Sequence, residues 1–590
     1  MTETNMTAPR RWVWFILGAV SISFHLYLVF SGMIPHMISR PIHMALAAPW
    51  ALVFIAKTSR ARLIGSILTG ATIACCTYIV LNESQLSDQY GALRGNLQLA
   101  IAVTLLLVTL EMARRCISWP LPAVAVLALA YGLLGKYIPG EFGYPGLPVK
   151  SFLGTLTIAE GGLWGQLTGV SVEIVAIFVI MGAVLNAGEA GQGFMNLATA
   201  VAGRLKGGAA KVSVISSALF GSISGSASAN VASTGAITLP AMTKLGYPKA
   251  LAGAVEAVAS SGGQIMPPLM GAGAFVMVEL TGVPYNDIMG AALLPALLYF
   301  MTVWVGINAF TLRYDLKGVA HENLPDKRAV FTTAMFFVIP FMILLERMFV
   351  GGYTPQYAAC VAILAAFLLL FVDIRFSFSL PRTLKRLQEV GINSGKQIST
   401  IASIIICASI VIGVLGQTGL GVKITSLILS GSGHYLWPAL LLTGLACLVL
   451  GMEVPTTAAY VICVSVAGPA LQELGLDPLI AHLFVFWFAL LSTITPPVCG
   501  AVFIAAGMVG ENWLKIAGNA MALGIGLYLI PLGMVANPAL IKLFETPLPA
   551  LLVFIKVGVS LAAVSYGIIA PKAVITRVSL ILVGLTGIFI

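Results

Sequence analysis

Pro240-Ala241, Gly246, Ile265, Pro267-Pro268 and Gly271-Ala272 recur 229 positions later as Pro469-Ala470, Gly475, Ile494, Pro496-Pro497 and Gly500-Ala501. Both stretches lie in apolar surroundings where a spanning helix would be smooth. Unwound backbone at membrane depth is tolerated only beside protein or a water-filled cavity. Interrupted segments at matching places in two halves are the sequence signature of a secondary-transporter binding site.

Working outward, 59% of the 590 residues are hydrophobic and 9% charged, and the mean hydropathy is +0.98. A soluble globule carries about a quarter charged residues, so the chain is read as a lipid-embedded, all-α polytopic protein. Apolar runs near 12–32, 43–56, 63–82, 97–112, 117–137, 171–187, 288–311, 330–349, 354–372, 397–417, 518–536, 548–568 and 573–590 mostly approach the roughly 20 residues of a spanning helix. The first run follows Arg10-Arg11 but is longer than a signal-peptide core and has no small-residue cleavage site, so it reads as a retained helix. All eight cysteines except Cys116 sit in apolar stretches, without metal-ligand spacing, and read as packing residues.

The net charge of +10 is a matter of topology. Arg10-Arg11, then Lys57, Arg60 and Arg62, then Arg114-Arg115 fall at alternate loops, while the loop between holds Glu83 and Asp88 against Arg94. The positive-inside pattern predicts a cytoplasmic N-terminus, and no nucleic-acid partner is implied. Carried forward, the count places Arg204, Lys206 and Lys211, on a short amphipathic stretch, on the cytoplasmic side. Residues 212–243 then form a re-entrant hairpin of two arms of about 15 residues each around Gly221-Ser222-Ile223-Ser224-Gly225-Ser226, too short to span. Arg375, Arg382, Lys385, Arg386 and Lys396 mark a cytoplasmic loop, and the arms at 435–472, followed by Glu473 and Asp477, open to the other face. One repeat is thus inverted relative to the other.

The chemistry concentrates at the breaks. Ser224, Gly225, Ser226, Ser228 and Asn230 occupy the first hairpin tip, and Ser260, Ser261, Gly262, Gln264 and Pro267 follow in an interrupted helix. The second half offers Glu453, Pro455, Thr456 and Thr457, then Ser492, Thr493, Thr495 and Pro496. Na⁺ accepts oxygens without fixed geometry, and freed helix-end carbonyls with Ser, Thr and Asn side chains supply them. The expectation is one Na⁺ near Ser226, Asn230 and Gly262 and a second near Thr456, Thr457, Thr493 and Thr495. Close helix packing is the competing reading for the small residues; the repetition at one offset favours functional breaks.

Intramembrane ionisable groups are functional hypotheses by default. Glu453, at a break, is a candidate proton carrier; Glu256, four residues before Ser260, is read as a hydrogen-bonding prop, and His482 as a satisfied interior histidine. No arginine occurs between Arg204 and Arg313 or between Arg386 and Arg577. An anion in the repeats would therefore be met by helix N-termini, hydroxyls and bound cations rather than by a guanidinium fork.

Ala218-Leu219-Phe220-Gly221-Ser222-Ile223-Ser224-Gly225-Ser226-Ala227, the run from Glu256 to Pro268 and Glu453-Val454-Pro455-Thr456-Thr457 resemble the large membrane subunit of tripartite ATP-independent periplasmic (TRAP) transporters. More narrowly they are similar to the fused permeases of the TAXI subgroup. The resemblance covers about residues 117–540, with inverted repeats near 171–311 and 397–536. Residues 1–116 look like a four-helix small subunit by position and number of spans, and 541–590 is an unassigned two-helix extension. The resemblance implies an elevator-type permease of the bacterial inner membrane that imports a small organic anion, often a carboxylate. It also implies Na⁺ or H⁺ coupling, no other cofactor, and a separate periplasmic TAXI-type solute-binding protein. A symporter working without a binding protein would use the same hairpins. An intramembrane hydrolase with Ser224 or Ser226 as nucleophile would need a base within reach, and the only histidine deep in a repeat, His482, belongs to the other half.

Overall fold

The computed structural model describes residues 8–268, 270–320, 322, 324–451, 454–497 and 499–590. Among them there is no strand, only a lone bridge between Val372 and Phe378, and eleven helices are long and apolar enough to cross a membrane. The chain is an all-α, multi-pass membrane protein. Every apolar run of the sequence becomes helix, including the short one at 43–56, where His36–Pro49 continues into a π-turn over Trp50–Phe54.

The repeat governs the helix boundaries themselves. In the first half, Gly208–Ser224 and Ala227–Lys244 form a hairpin, followed by Lys249–Gly262, a break, Ala272–Thr281 and Tyr285–Tyr314. In the second, the order is Leu436–Leu450, Thr456–Glu473, Pro478–Leu491, a break, Gly500–Val509, then Trp513–Leu523 and Ile525–Ala536. Ala227 and Thr456, Lys244 and Glu473, Lys249 and Pro478, and Gly262 and Leu491 each stand at the same offset as the prolines. The arms of the first hairpin, at 17 and 18 residues, run slightly longer than the expected 15 or so, and those of the second are 15 and 18 residues.

The breaks lie where backbone donors are missing. Pro267-Pro268 and Pro496-Pro497 cannot continue an i to i−4 ladder, and each restrains the residue before it. The freed groups find partners inside the protein: Tyr285 donates its hydroxyl to the Pro268 carbonyl, and the Ala501 N–H reaches the Thr493 carbonyl at 3.2 Å. In the first half the helix persists through Ser260, Ser261 and Gly262 and tightens to a 3₁₀ turn at Gly263–Ile265 before it opens. The interruption thus starts several residues later than the Ser-Gly run suggests, because the ladder fails only where proline removes its N–H.

Residues 380–396, expected as loop, are helical. Leu380–Thr418 is one helix of 39 residues, about 58 Å long against a hydrocarbon core of about 30 Å. Arg386, expected in a cytoplasmic loop, is buried and donates to the Glu189 carboxylate and to the Val372 carbonyl. The basic region after 187 also differs: the helix there is Ala190–Ala202, and Lys211 is buried in the first turn of the hairpin with its ammonium 4.9 Å over the Trp304 ring.

The long helix is a beam on which the N-terminal helices rest. Ala8–Phe30, His36–Pro49, Gly95–Ile117 and Pro120–Leu134 all pack on it. A Cβ on Gly18 would stand 2.0 Å from the Gly391 carbonyl oxygen, and one on Gly395 would stand 2.3 Å from the Trp50 indole; Ser399 donates at 2.7 Å to the Ala47 carbonyl. The hairpins form the opposing unit, in which both arms of the first hairpin, Lys249–Gly262, Gly500–Val509 and Trp513–Leu523 pack on one another.

Candidate functional site

A cavity of about 740 Å³ lies between the beam and the hairpin unit. On one wall stand Cys116, Phe178, Asn186 and the stripe Asn393, Lys396, Gln397 and Thr400; on the other stand both hairpin tips and both breaks. The beam residues occur at spacings of three and four, which places them on one helical face.

The hairpin wall is built from helix beginnings. Ala227–Lys244 and Thr456–Glu473 start at the tips, and Ala272–Thr281 and Gly500–Val509 start after the breaks. Ala227, Ser228, Thr456, Thr457, Ala272, Gly500 and Ala501, the opening residues of these four helices, all line the cavity. First-turn N–H groups lack intrahelical acceptors and carry the positive end of the helix dipole. Four such ends facing one space, two from each repeat, form a concentration of donors suited to an anion.

Ser224, Gly225, Ser226, Ser228, Gln264, Pro455, Thr456, Thr457, Ser492 and Thr493 line this space. Gly225, at φ +60°, turns the first hairpin. Ser226 caps the returning arm through a 3.3 Å bond from the Ala229 N–H, and the buried Ser224 hydroxyl has no partner.

The remaining sequence-predicted residues stand behind the wall. Asn230 is buried and donates to the Ser217 carbonyl at 2.9 Å and the Ser260 carbonyl at 3.4 Å, tying both arms to the interrupted helix. It sits under a close crossing where a Cβ on Gly221 would stand 2.4 Å from the Gly263 Cα. Ser260 donates at 3.2 Å to Glu256, Gly262 abuts the Tyr299 ring, and Thr495 meets the Tyr528 hydroxyl at 2.6 Å. Pro267 and Pro496 set the breaks, and Ser261 meets Thr493 at 2.8 Å. Glu453 lies outside the described residues.

Glu256 is fully buried and holds more of the hairpin than one bond. Its carboxylate accepts from Ser213 at 2.7 Å, Ser217 at 3.4 Å and Ser260 at 3.2 Å, and from Thr234 and Thr238. Five hydroxyls from both arms and its own helix thus converge on one side chain. His482 receives or gives a 2.8 Å bond with the Tyr460 hydroxyl and is 6% exposed, away from the cavity.

Sequence reasoning missed the beam wall. The sequence places Lys396 in a loop, whereas it lines the cavity from the beam; the polar residues at 393, 396, 397 and 400, followed by apolar Ile401, Ile404 and Ile405, carry the helical signal.

Residues 104–548 match the family described as tripartite ATP-independent periplasmic transporter, DctM component. The chain is 27% identical over 339 residues to the C4-dicarboxylate TRAP transporter large permease protein DctM of Pseudomonas aeruginosa, covering 57% of this chain and 77% of that one. It is 26% identical over 433 residues to the isethionate TRAP transporter permease protein DctMQ of Oleidesulfovibrio alaskensis, covering 68% and 66%. To the 2,3-diketo-L-gulonate TRAP transporter large permease protein YiaN of Escherichia coli it is 24% identical over 345 residues, covering 57% and 78%. The duplicated hairpins and the space between them therefore belong to a transporter rather than an enzyme, and the chain is a member of the DctM family of TRAP transporter permeases.

Proposed function

We propose that this chain imports a small organic anion across the bacterial inner membrane, with its N-terminus in the cytoplasm, and takes the anion from a periplasmic solute-binding protein of the TAXI type. The convergence of four helix N-termini on one cavity carries this reading, since oriented backbone donors recognise negative charge without an arginine fork. The named relatives handle C4-dicarboxylate, isethionate and 2,3-diketo-L-gulonate, all acidic, which supports the substrate class.

In this reading residues 1–116 act as a fused small subunit, 117–540 as the transport portion and 541–590 as an extension. The first 103 residues fall outside the family match, and of them the helices Ala8–Phe30 and His36–Pro49 pack on the beam. The two repeats stand in opposite senses across the bilayer, and the hairpin unit shifts as an elevator against the beam. Na⁺ is the coupling ion, one site near Ser226 with Asn230 and Gly262 behind it and the other near Thr456, Thr457, Thr493 and Thr495.

The test is thermal unfolding of the detergent-purified chain in Na⁺ against K⁺ at equal ionic strength. A ligand at about 100 times its Kd adds roughly 2.7 kcal/mol to the state it binds. A Na⁺-specific rise in Tm that Ser226→Ala or Thr456→Ala reduces supports the two sites. Equal Tm in both cations removes Na⁺ coupling and leaves protons, with Glu453 as the group to mutate. Uptake of labelled anion by the permease alone, without any binding protein, would overturn the partner assignment.

A further inference from the structure

Two helices, Pro547–Ile569 and Val574–Phe589, begin where the family match ends, at residue 548. Ala550, Val557, Leu561 and Ser565 of the first are buried at spacings of seven, four and four, which is one helical face. That face lies along Tyr285–Tyr314: a Cβ on Gly558 would stand 2.6 Å from the Met301 side chain, and Ser565 donates at 3.4 Å to the Thr302 carbonyl. Small residues let membrane helices approach this closely. The second helix docks on the first, where a Cβ on Gly584 would stand 2.5 Å from the Ser560 carbonyl oxygen, and Arg577 donates to the Gly567 and Ile568 carbonyls at 2.9 and 2.7 Å. Asn537, just past the end of Ile525–Ala536, pins both helices: its amide donates at 2.7 Å to the Ile588 carbonyl, and its oxygen accepts from Lys556 at 2.9 Å.

The surfaces they cover belong to both repeats. Tyr285–Tyr314 and Trp513–Ala536 are equivalent at the offset of 229, and each backs a break with a tyrosine at the same repeat position. Tyr299 donates at 2.7 Å to the Val258 carbonyl, and Tyr528 meets the Thr495 hydroxyl at 2.6 Å. The C-terminal helices thus rest on the outer helix of each repeat, the two that hold the hairpin unit from behind. Phe589 also meets Trp437, at the start of the second hairpin, with ring centroids 5.6 Å apart. Among the described residues no comparable packing joins either C-terminal helix to the beam or to the N-terminal helices. The connection before them touches Phe349 through Phe544, with ring centroids 6.2 Å apart.

We infer that the C-terminal pair is a brace of the hairpin unit and travels with it, while the N-terminal helices stay with the beam, so that the first and last helices of the chain shift relative to each other in every cycle. The inference rests on the reading of the hairpin unit as an elevator against the beam and assigns the extension to its moving side. Close-packed helices transmit displacement as one body, and relative motion is taken up where contact is thin. Joining the outer helices of the two repeats, the brace keeps Tyr299 and Tyr528 in register with the breaks they support. The competing role, a lipid-facing addition to the fixed framework held through Phe544 and Phe349, requires the pair to stay with the beam.

Distances between spin labels test this without knowledge of the substrate. The background is the full chain carrying Cys75→Ser and Cys116→Ser, since the other six cysteines are buried. Labels go in pairs on Leu107→Cys in the framework, Met508→Cys in the hairpin unit and Leu582→Cys in the extension, all exposed positions; Leu514→Cys, also exposed, serves as a second position in the hairpin unit. Pulsed dipolar spectra of the detergent-purified protein are recorded in Na⁺ and in K⁺, on pairs whose Tm matches the background. The pair 508–582 should give one narrow distance in both cations, while 107–508 and 107–582 should each give two, with matching populations. A single distance for 107–582 beside two for 107–508, or two distances for 508–582, overturns the inference and leaves the elevator reading standing. A single distance for 107–508 in both cations removes the elevator reading, and the inference falls with it.

Discussion

The hydroxyls of Ser261 and Thr493 meet at 2.8 Å although 232 residues separate them, and this contact joins the end of one interrupted helix to the start of the other break. The two repeats are thereby bonded where each loses its helical ladder. Ser261→Ala and Thr493→Ala should each lower stability modestly, and the double mutant should be less destabilised than the sum, with a coupling of about 1 kcal/mol. Denaturation of the four proteins of that cycle measures it. Strict additivity would mean that the repeats are not held together there.

Glu256 gathers hydroxyls from both hairpin arms and its own helix. Glu256→Ala leaves the buried Ser213 and Ser260 hydroxyls without partners, at about 1–3 kcal/mol each, while Ser217, Thr234 and Thr238 keep bonds to a neighbouring hydroxyl or carbonyl. Glu256→Gln keeps one carbonyl acceptor and brings an amide that rotated hydroxyls can accept from. The expected order of Tm is wild type, then Glu256→Gln, then Glu256→Ala, with the alanine protein clearly lowest. Similar Tm for the alanine and glutamine proteins would remove the prop role.

The Gly221 and Gly263 crossing leaves no room for a methyl group. Gly221→Ala must part the first arm from the interrupted helix, with an overpacking cost of about 1–3 kcal/mol. The same displacement stretches the Asn230 bonds to Ser217 and Ser260. Asn230→Ala should consequently cost less in a Gly221→Ala background than alone, as Tm measurements on the single and double mutants would show.

Asp373 organises the connection into the long helix. It accepts from the Arg375 N–H at 2.8 Å, from the Ser377 N–H at 2.9 Å and hydroxyl at 2.7 Å, and from Arg382 at 2.8 Å. The Ser377 bonds first, with the Arg375 N–H and the Arg382 charge, hold its carboxyl well below the ordinary range. A depressed folded-state value means that the stabilisation is fully present above the unfolded value of about 3.9 and is lost only as pH falls through the folded one. Hydrogen exchange at the Arg375 and Ser377 amides should thus be protected equally from neutral pH down to about 5. Asp373→Asn should lower that protection throughout the same range.

Much of the fold was legible because its causes are local. Apolar run length gave the spans, and Pro267-Pro268 and Pro496-Pro497 gave both breaks, since a missing N–H acts whatever surrounds it. The tip residues Ser224 to Ser228 and Thr456-Thr457 were legible for the same reason: they are where helices must begin. What escaped depends on tertiary contact. Arg382, Lys385, Arg386 and Lys396 read as loop charges, yet their helix is held by the contacts of Gly391 and Gly395 with Gly18 and Trp50, far away in sequence, and by the Arg386 bond to Glu189. Asn230 and Ser260 carry the residue types of an ion site, but which of their oxygens and nitrogens are already engaged is decided by the crossing of three helices.

The abutment of Gly18 on Gly391 makes the cavity answerable to a distant surface. One added methyl at position 18 would push on the beam about a third of the way along its length, and the neighbouring face carrying Asn393 and Gln397 would shift relative to the hairpin tips. Substitutions on the first helix, touching neither solute nor ion, should therefore surface as a reshaped cavity rather than as simple loss of folding.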